Sequence, residues 1–163
     1  VVGSTKVMQK VEDIFFSGTF GGETLSLAAV NAVIKKYESQ NVPKYLEEIG
    51  TYLLGQLNQL INSENLGDIF WTSGHPTWIF LHIKEQKEYF SFEIQTFFLQ
   101  EMFKRGILTL GSHNLSFSHT KEDIDRLMKV YAEVLPMIKH HINNKDLLEN
   151  IQGEILKPLF KVR

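Results

Sequence analysis

The sequence predicts an α+β fold in which helices pack on one side of a small, mainly antiparallel sheet. Three observations carry this. Apolar residues recur at three- and four-residue steps in four separate stretches, the mark of helices with one buried face. Between them lie short apolar runs, paired around glycine-containing turns as neighbouring antiparallel strands are. The 163 residues, 43% hydrophobic and 22% charged, make an ordinary globular chain long enough for a real core.

The same composition excludes several classes. Net charge is −2 with no basic block, so nothing argues for a nucleic-acid partner. Cysteine is absent, which rules out disulfides and thiolate metal sites and fits a cytoplasmic protein. No apolar run approaches the roughly 20 residues of a membrane helix. Val1-Val2-Gly3-Ser4 lacks the basic and apolar regions of a signal peptide. A chain opening on Val rather than Met is expected to start inside a longer protein.

The elements follow in order. Residues 1–16 hold a short apolar start and a charged middle, where Lys6 and Lys10 read as solvated. The stretch Ser17-Gly18-Thr19-Phe20-Gly21-Gly22-Glu23-Thr24-Leu25 is a small-residue turn leading into a helix. A helix begun this way aims unpaired N–H groups and a positive dipole end at the turn, which suits a phosphate. Glu23 in the first turn can equally satisfy that dipole itself. The helix runs over 23–39, with Leu25, Ala28, Ala29, Ala32 and Val33 on one face.

Asn41-Val42-Pro43 breaks the chain, and a second helix over about 43–62 carries Leu46, Ile49, Leu53, Leu57, Leu60 and Ile61. The two helices are expected to form a hairpin. Gly50 and Gly55 on or beside that stripe predict close packing against another helix. Residues 69–72 and 77–83 read as strands about a turn at 73–76, with His82 hydrogen-bonded or edge-facing. A helix over about 90–105 ends at Gly106. Residues 107–110 and 115–118 read as two more strands around the turn Gly111-Ser112-His113-Asn114.

The last long helix opens at Thr120, an N-cap with Asp123 in the reciprocal position. Ile124, Leu127, Tyr131, Val134, Leu135 and Ile138 form its stripe, and His140-His141 end it. Adjacent histidines do not share a helix face, so no metal site is expected there. A loop over 143–145, a short helix within 146–152 and a tail over 154–163 complete the chain.

Two stretches also resemble a known family. Ser-Gly-Thr-Phe-Gly-Gly-Glu-Thr-Leu-Ser-Leu-Ala-Ala, at 17–29, is similar to the segment that follows the cofactor lysine in class III (fold type I) pyridoxal-phosphate (PLP) enzymes. The resemblance is to the glutamate-1-semialdehyde 2,1-aminomutase-like aminotransferases. Gln100 to Leu108, then Leu115 to Asp125, resemble the C-terminal domain of the same enzymes, in the same order. Where that family has Asn-Pro before the leucine, this chain has Glu23-Thr24; the proline pre-sets a backbone angle and is no ligand.

The resemblance implies a division of the chain. Residues 1–22 would be the tail end of the large cofactor-binding domain, with Val1-Val2-Gly3 closing a strand, and 23–163 a linking helix and the C-terminal small domain. It implies the cofactor pyridoxal 5'-phosphate, with Thr19, flanked by Gly18 and Phe20, contacting the phosphate held by the other subunit of a homodimer. Backbone of Gly21 and Gly22 belongs to the same turn. His113 and Asn114 lie where the small domain closes over substrate, although turn chemistry explains Asn114 as well. His119 is expected to order the start of the last helix.

The Schiff-base lysine would precede residue 1, so no residue of the chain is assigned a catalytic role. The implied activity is amino-group transfer between a small amino donor and a keto or aldehyde acceptor, or within one molecule as in an aminomutase, with the chain inactive alone. The alternative is a non-catalytic α+β module that binds a protein partner through Phe70, Trp71, Phe97 and Phe98; the same residues can equally be core.

Overall fold

The computed structural model describes residues 3–15 and 18–157. It divides into two compact units at Asn41/Val42, and each is described by itself. The expected strand end at Val1-Val2 and the end of the tail lie outside the described residues.

The first unit holds a short helix α1 (Thr5–Met8), a 3-10 turn (Gln9–Asp13), the glycine-rich turn, and helix α2 (Thr24–Ser39). Lys10 forms a surface pair with Asp13, at 3.6 Å. Helix α2 buries none of its residues. Its apolar side chains, Leu25, Val30, Val33 and Ile34 among them, are each more than half exposed.

The second unit contains α3 (Val42–Ser63), β1 (Phe70–His75), β2 (Trp78–Ile83), α4 (Ser91–Lys104), β3 (Ser112–Asn114), α5 (Lys121–Asn144) and a closing 3-10 turn (Leu148–Asn150). The three strands form an antiparallel sheet in the order β1-β2-β3. Alternation along β2 sends Ile79 and Leu81 into the core and leaves Trp78, half exposed, on the other face. The main core joins Phe70, Phe97, Phe98, Met102, Tyr131, Leu135 and Ile138, so α4 and α5 close over the sheet. A smaller cluster, Ile49, Leu53, Ile79, Leu115 and Ile124, ties α3 and the start of α5 to β2. Hydrogen bonds from Tyr45 Oη to the His119 carbonyl (2.7 Å) and from Tyr52 Oη to Asp125 Oδ1 (2.6 Å) fix the same junction.

This is the α+β fold expected, with several local differences. β1 continues through 73–75, because a two-residue turn at Pro76-Thr77 suffices to pair His75 with Trp78. The expected strands at 107–110 and 115–118 do not form. The one strand here is Ser112–Asn114, the stretch expected to turn. It pairs Ser112, His113 and Asn114 with Phe80, Ile79 and Trp78, and is framed by Leu81 N–H to the Gly111 carbonyl and Leu115 N–H to the Thr77 carbonyl. Leu108 and Leu110 point outward, 91% and 73% exposed, so that run was apolar without being buried. Helix α5 continues to Asn144 and ends on Lys145 in the left-handed region, where a loop over 143–145 was expected. The expected helix within 146–152 is a single 3-10 turn.

Gly50 does mark a close approach, but to the β1–β2 turn: a Cβ there would collide with the Pro76 carbonyl oxygen. Gly55 has open space around it, which corrects the expectation of close packing. Phe70, Phe97 and Phe98 are buried, at 0%, 2% and 1% exposure, which leaves only Trp71 of the proposed partner-binding aromatics at the surface. The module alternative loses its surface.

Candidate functional site

The turn before α2 is built by Gly21 N–H bonding to the Gly18 carbonyl (3.1 Å) and Glu23 N–H to the Phe20 carbonyl (3.4 Å). These bonds use carbonyls and leave other donors over. Among the described residues, the N–H groups of Thr19, Phe20, Gly22 and Thr24 and the Thr19 hydroxyl have no partner within the chain. All of Gly18 to Phe20 is exposed. The cluster of free donors on small residues fits an oxyanion such as a phosphate.

The end of α2 itself is already taken. Glu23 is the N-cap, and its carboxylate accepts from Leu25 N–H and Ser26 N–H, each at 2.6 Å. Hydrogen bonds from Ser26, side chain and backbone, and from the Leu25 amide hold its carboxyl below the usual carboxylate range. Of the two possibilities the sequence left open at this helix end, self-capping by Glu23 is the one realised. An anion in the turn would meet amide and hydroxyl donors rather than an uncompensated helix dipole.

The second place is the corner between β3 and α5. His113 is only 7% exposed. Its Nε2 lies 2.6 Å from Tyr131 Oη and its Nδ1 3.4 Å from the Ile79 carbonyl. Burial lowers its pKa, which keeps the ring neutral, and burial likewise raises that of Tyr131. Both His113 nitrogens are therefore committed to the core. Asn114 is exposed one residue on. His119 does build the turn before α5: its Nδ1 accepts from Ser116 N–H (3.0 Å) and its own N–H bonds back to the Ser116 carbonyl (3.1 Å). Thr120 and Asp123 form the expected reciprocal cap, with Thr120 N–H to Asp123 Oδ2 at 2.8 Å and Asp123 N–H to Thr120 Oγ1 at 3.3 Å. A cavity of about 410 Å³ opens beside this corner, bordered by His113, Asn114, His119, Asp123 and Arg126.

The remaining histidines have structural partners. His82 stacks on Trp71 with centroids 4.0 Å apart and lies 2.6 Å from Ser73 Oγ. His141 pairs with Asp146 at 2.8 Å. Among the described residues no group of three or more His, Asp or Glu is arranged to hold a metal ion, and no helix is long and apolar enough to cross a membrane.

The fold is an α+β one that is similar to part of a protein solved with PLP. A solved structure makes the likeness concrete: the FumI protein of Sphingopyxis sp. MTA144, in its PLP internal aldimine form, superposes with a TM-score of 0.74 at 19% identity. The likeness covers 87% of this chain and 34% of that one, so the chain spans about a third of the length of FumI. No family model matches the chain, and no curated protein matches it by sequence.

Proposed function

We propose that the chain is the C-terminal part of a PLP-dependent enzyme of the class III aminotransferase or aminomutase type, and that it takes part in amino-group transfer. The observation that carries this is a convergence. Two motif stretches resemble that family, and the fold, at only 19% identity, matches part of a protein solved with PLP.

PLP supplies the electron sink for chemistry at an amino-bearing carbon. The chain's contribution is binding and enclosure. Thr19 Oγ1 and the free amides of Thr19, Phe20 and Gly22 donate to the cofactor phosphate, across a homodimer interface. Residues about His113 and Asn114 form part of the wall over the substrate, an amino donor or a keto or aldehyde acceptor. The Schiff-base lysine belongs to the large domain, and the setting is cytoplasmic.

Borohydride reduction after incubation with PLP tests the placement of that lysine. The 163-residue chain should show only sparse labelling scattered over its lysines. Stoichiometric labelling of one lysine, blocked by phosphate and lost in Thr19→Ala, would overturn it. In the holoenzyme that carries the large domain, Thr19→Ala should weaken PLP binding roughly tenfold. An amino donor should convert its bound PLP to pyridoxamine phosphate.

A further inference from the structure

The cavity at the β3–α5 corner gathers the solvent-exposed polar groups of Ser112, Asn114 and Arg126 on one wall. At about 410 Å³ it is within the usual size range of small-molecule sites. Several polar groups on its wall are already spent. Thr109 Oγ1 accepts from Gly111 N–H (3.0 Å), the Asp123 carboxylate caps Thr120, and both His113 nitrogens face the core.

What remains is a set of donors. The Arg126 guanidinium has no hydrogen bond or ion pair among the described residues, and Asp123 is its charged neighbour. Its Nη2 sits 3.6 Å from where a Cβ on Gly106 would stand, which places the guanidinium over the 106–109 segment at the cavity wall. The Asn114 amide and Ser112 hydroxyl likewise have no side-chain partner among the described residues. His119 Nδ1 accepts from a backbone N–H, so in the neutral ring the proton is on Nε2, which is thereby a donor. The rest of the lining, Ile107, Leu115 and Leu127 in particular, is apolar.

We propose that this cavity binds a small carboxylate on a hydrocarbon stem, with Arg126 as counter-charge and Ser112, Asn114 and His119 Nε2 as its other donors. A planar carboxylate matches the guanidinium fork. The apolar walls suit a stem. Asp123 on the same wall disfavours phosphate, which concentrates up to two charges on one centre, more than a dicarboxylate that brings one charge to the guanidinium and holds the other at the far end of its stem. The site needs no cofactor; it shares Asn114 with the substrate wall proposed above, and Arg126, which that reading gives no role, tells the two apart.

Amide chemical-shift titration of the full chain with glutarate, glutaramide and inorganic phosphate tests it. Glutarate should shift residues 106–109, 112–115 and 119–127 saturably, and uncharged glutaramide should not. Arg126→Gln should weaken binding at least roughly tenfold and Arg126→Lys less, since an ammonium keeps charge without the fork. Lys129→Gln, in the separate groove between α3 and α5, should leave binding unchanged. Dispersed spectra of each variant check folding. No saturable shift by about 50 mM glutarate, or binding that survives Arg126→Gln, overturns the site. Phosphate binding as tight as glutarate overturns its assignment to carboxylates.

Discussion

Glu101 is a charged residue in the least hospitable place in the chain, 7% exposed on the inner side of α4. Burial alone would push its carboxyl up. Hydrogen bonds from Lys104 Nζ (2.8 Å), Gln100 Nε2 (3.0 Å) and Arg105 Nη1 (2.8 Å) outweigh that and bring it down to about 2. Arg105 also reaches Glu133 on α5 through Nε at 2.9 Å, so the carboxylate is the centre of a clamp between α4 and α5. Because the folded pKa lies below the unfolded value, the unfolded chain binds the proton first. The stabilisation is therefore complete above pH of about 4.5 and drains away as pH falls towards about 2. Glu101→Gln should cost about 2 kcal/mol in urea unfolding at neutral pH. It should also flatten the acid limb of the stability profile; an unchanged slope between those pH values would show that another group carries it.

At the scale of single elements, the two mid-helix glycines of α3 separate propensity from packing. Gly50→Ala drives a methyl into the Pro76 carbonyl and to 3.2 Å from Leu115 Cδ1, so the β1–β2 turn or the helix must shift. It should destabilise the chain by about 2 kcal/mol despite the better helix former. Gly55→Ala meets nothing within 4 Å and should stabilise by nearly 1 kcal/mol. Thermal unfolding of the pair checks this, and equal signs would refute the packing account of Gly50. The contrast also shows what the sequence made legible. Helices α2 to α5 were readable within one to three residues because apolar residues recur at three- and four-residue steps in each. The β1–β2 hairpin was readable because two apolar runs flank Gly74. The third strand was not, because three residues are too few to show an alternation, and the apolar runs beside it are exposed loop. The donors of the turn before α2 were legible from Thr19 and its glycines, while the capping by Glu23 was one of two readings until its carboxylate was placed. Arg126 was invisible as a site residue: its meaning lies in what the surrounding groups have already spent, and no spacing encodes that.

The whole molecule is unevenly consolidated. Residues from Val42 on enclose two apolar clusters, whereas α2, sixteen residues long, buries none of its residues. Isolated helices of that length are marginal in water. Hydrogen exchange on the dilute chain should therefore split in two. Amides around Leu53, Leu57, Tyr131 and Leu135 should exchange only by global opening, and those of α2 within roughly a hundredfold of unstructured rates. Raising the chain concentration discriminates further. If a second copy covers Leu25, Val30, Val33 and Ile34, protection of α2 should climb with concentration while that of α3 and α5 stays fixed. Protection of α2 that equals α3 at every concentration would mean that the helix is held within a single chain, and the division at Asn41/Val42 would then not be a division in stability.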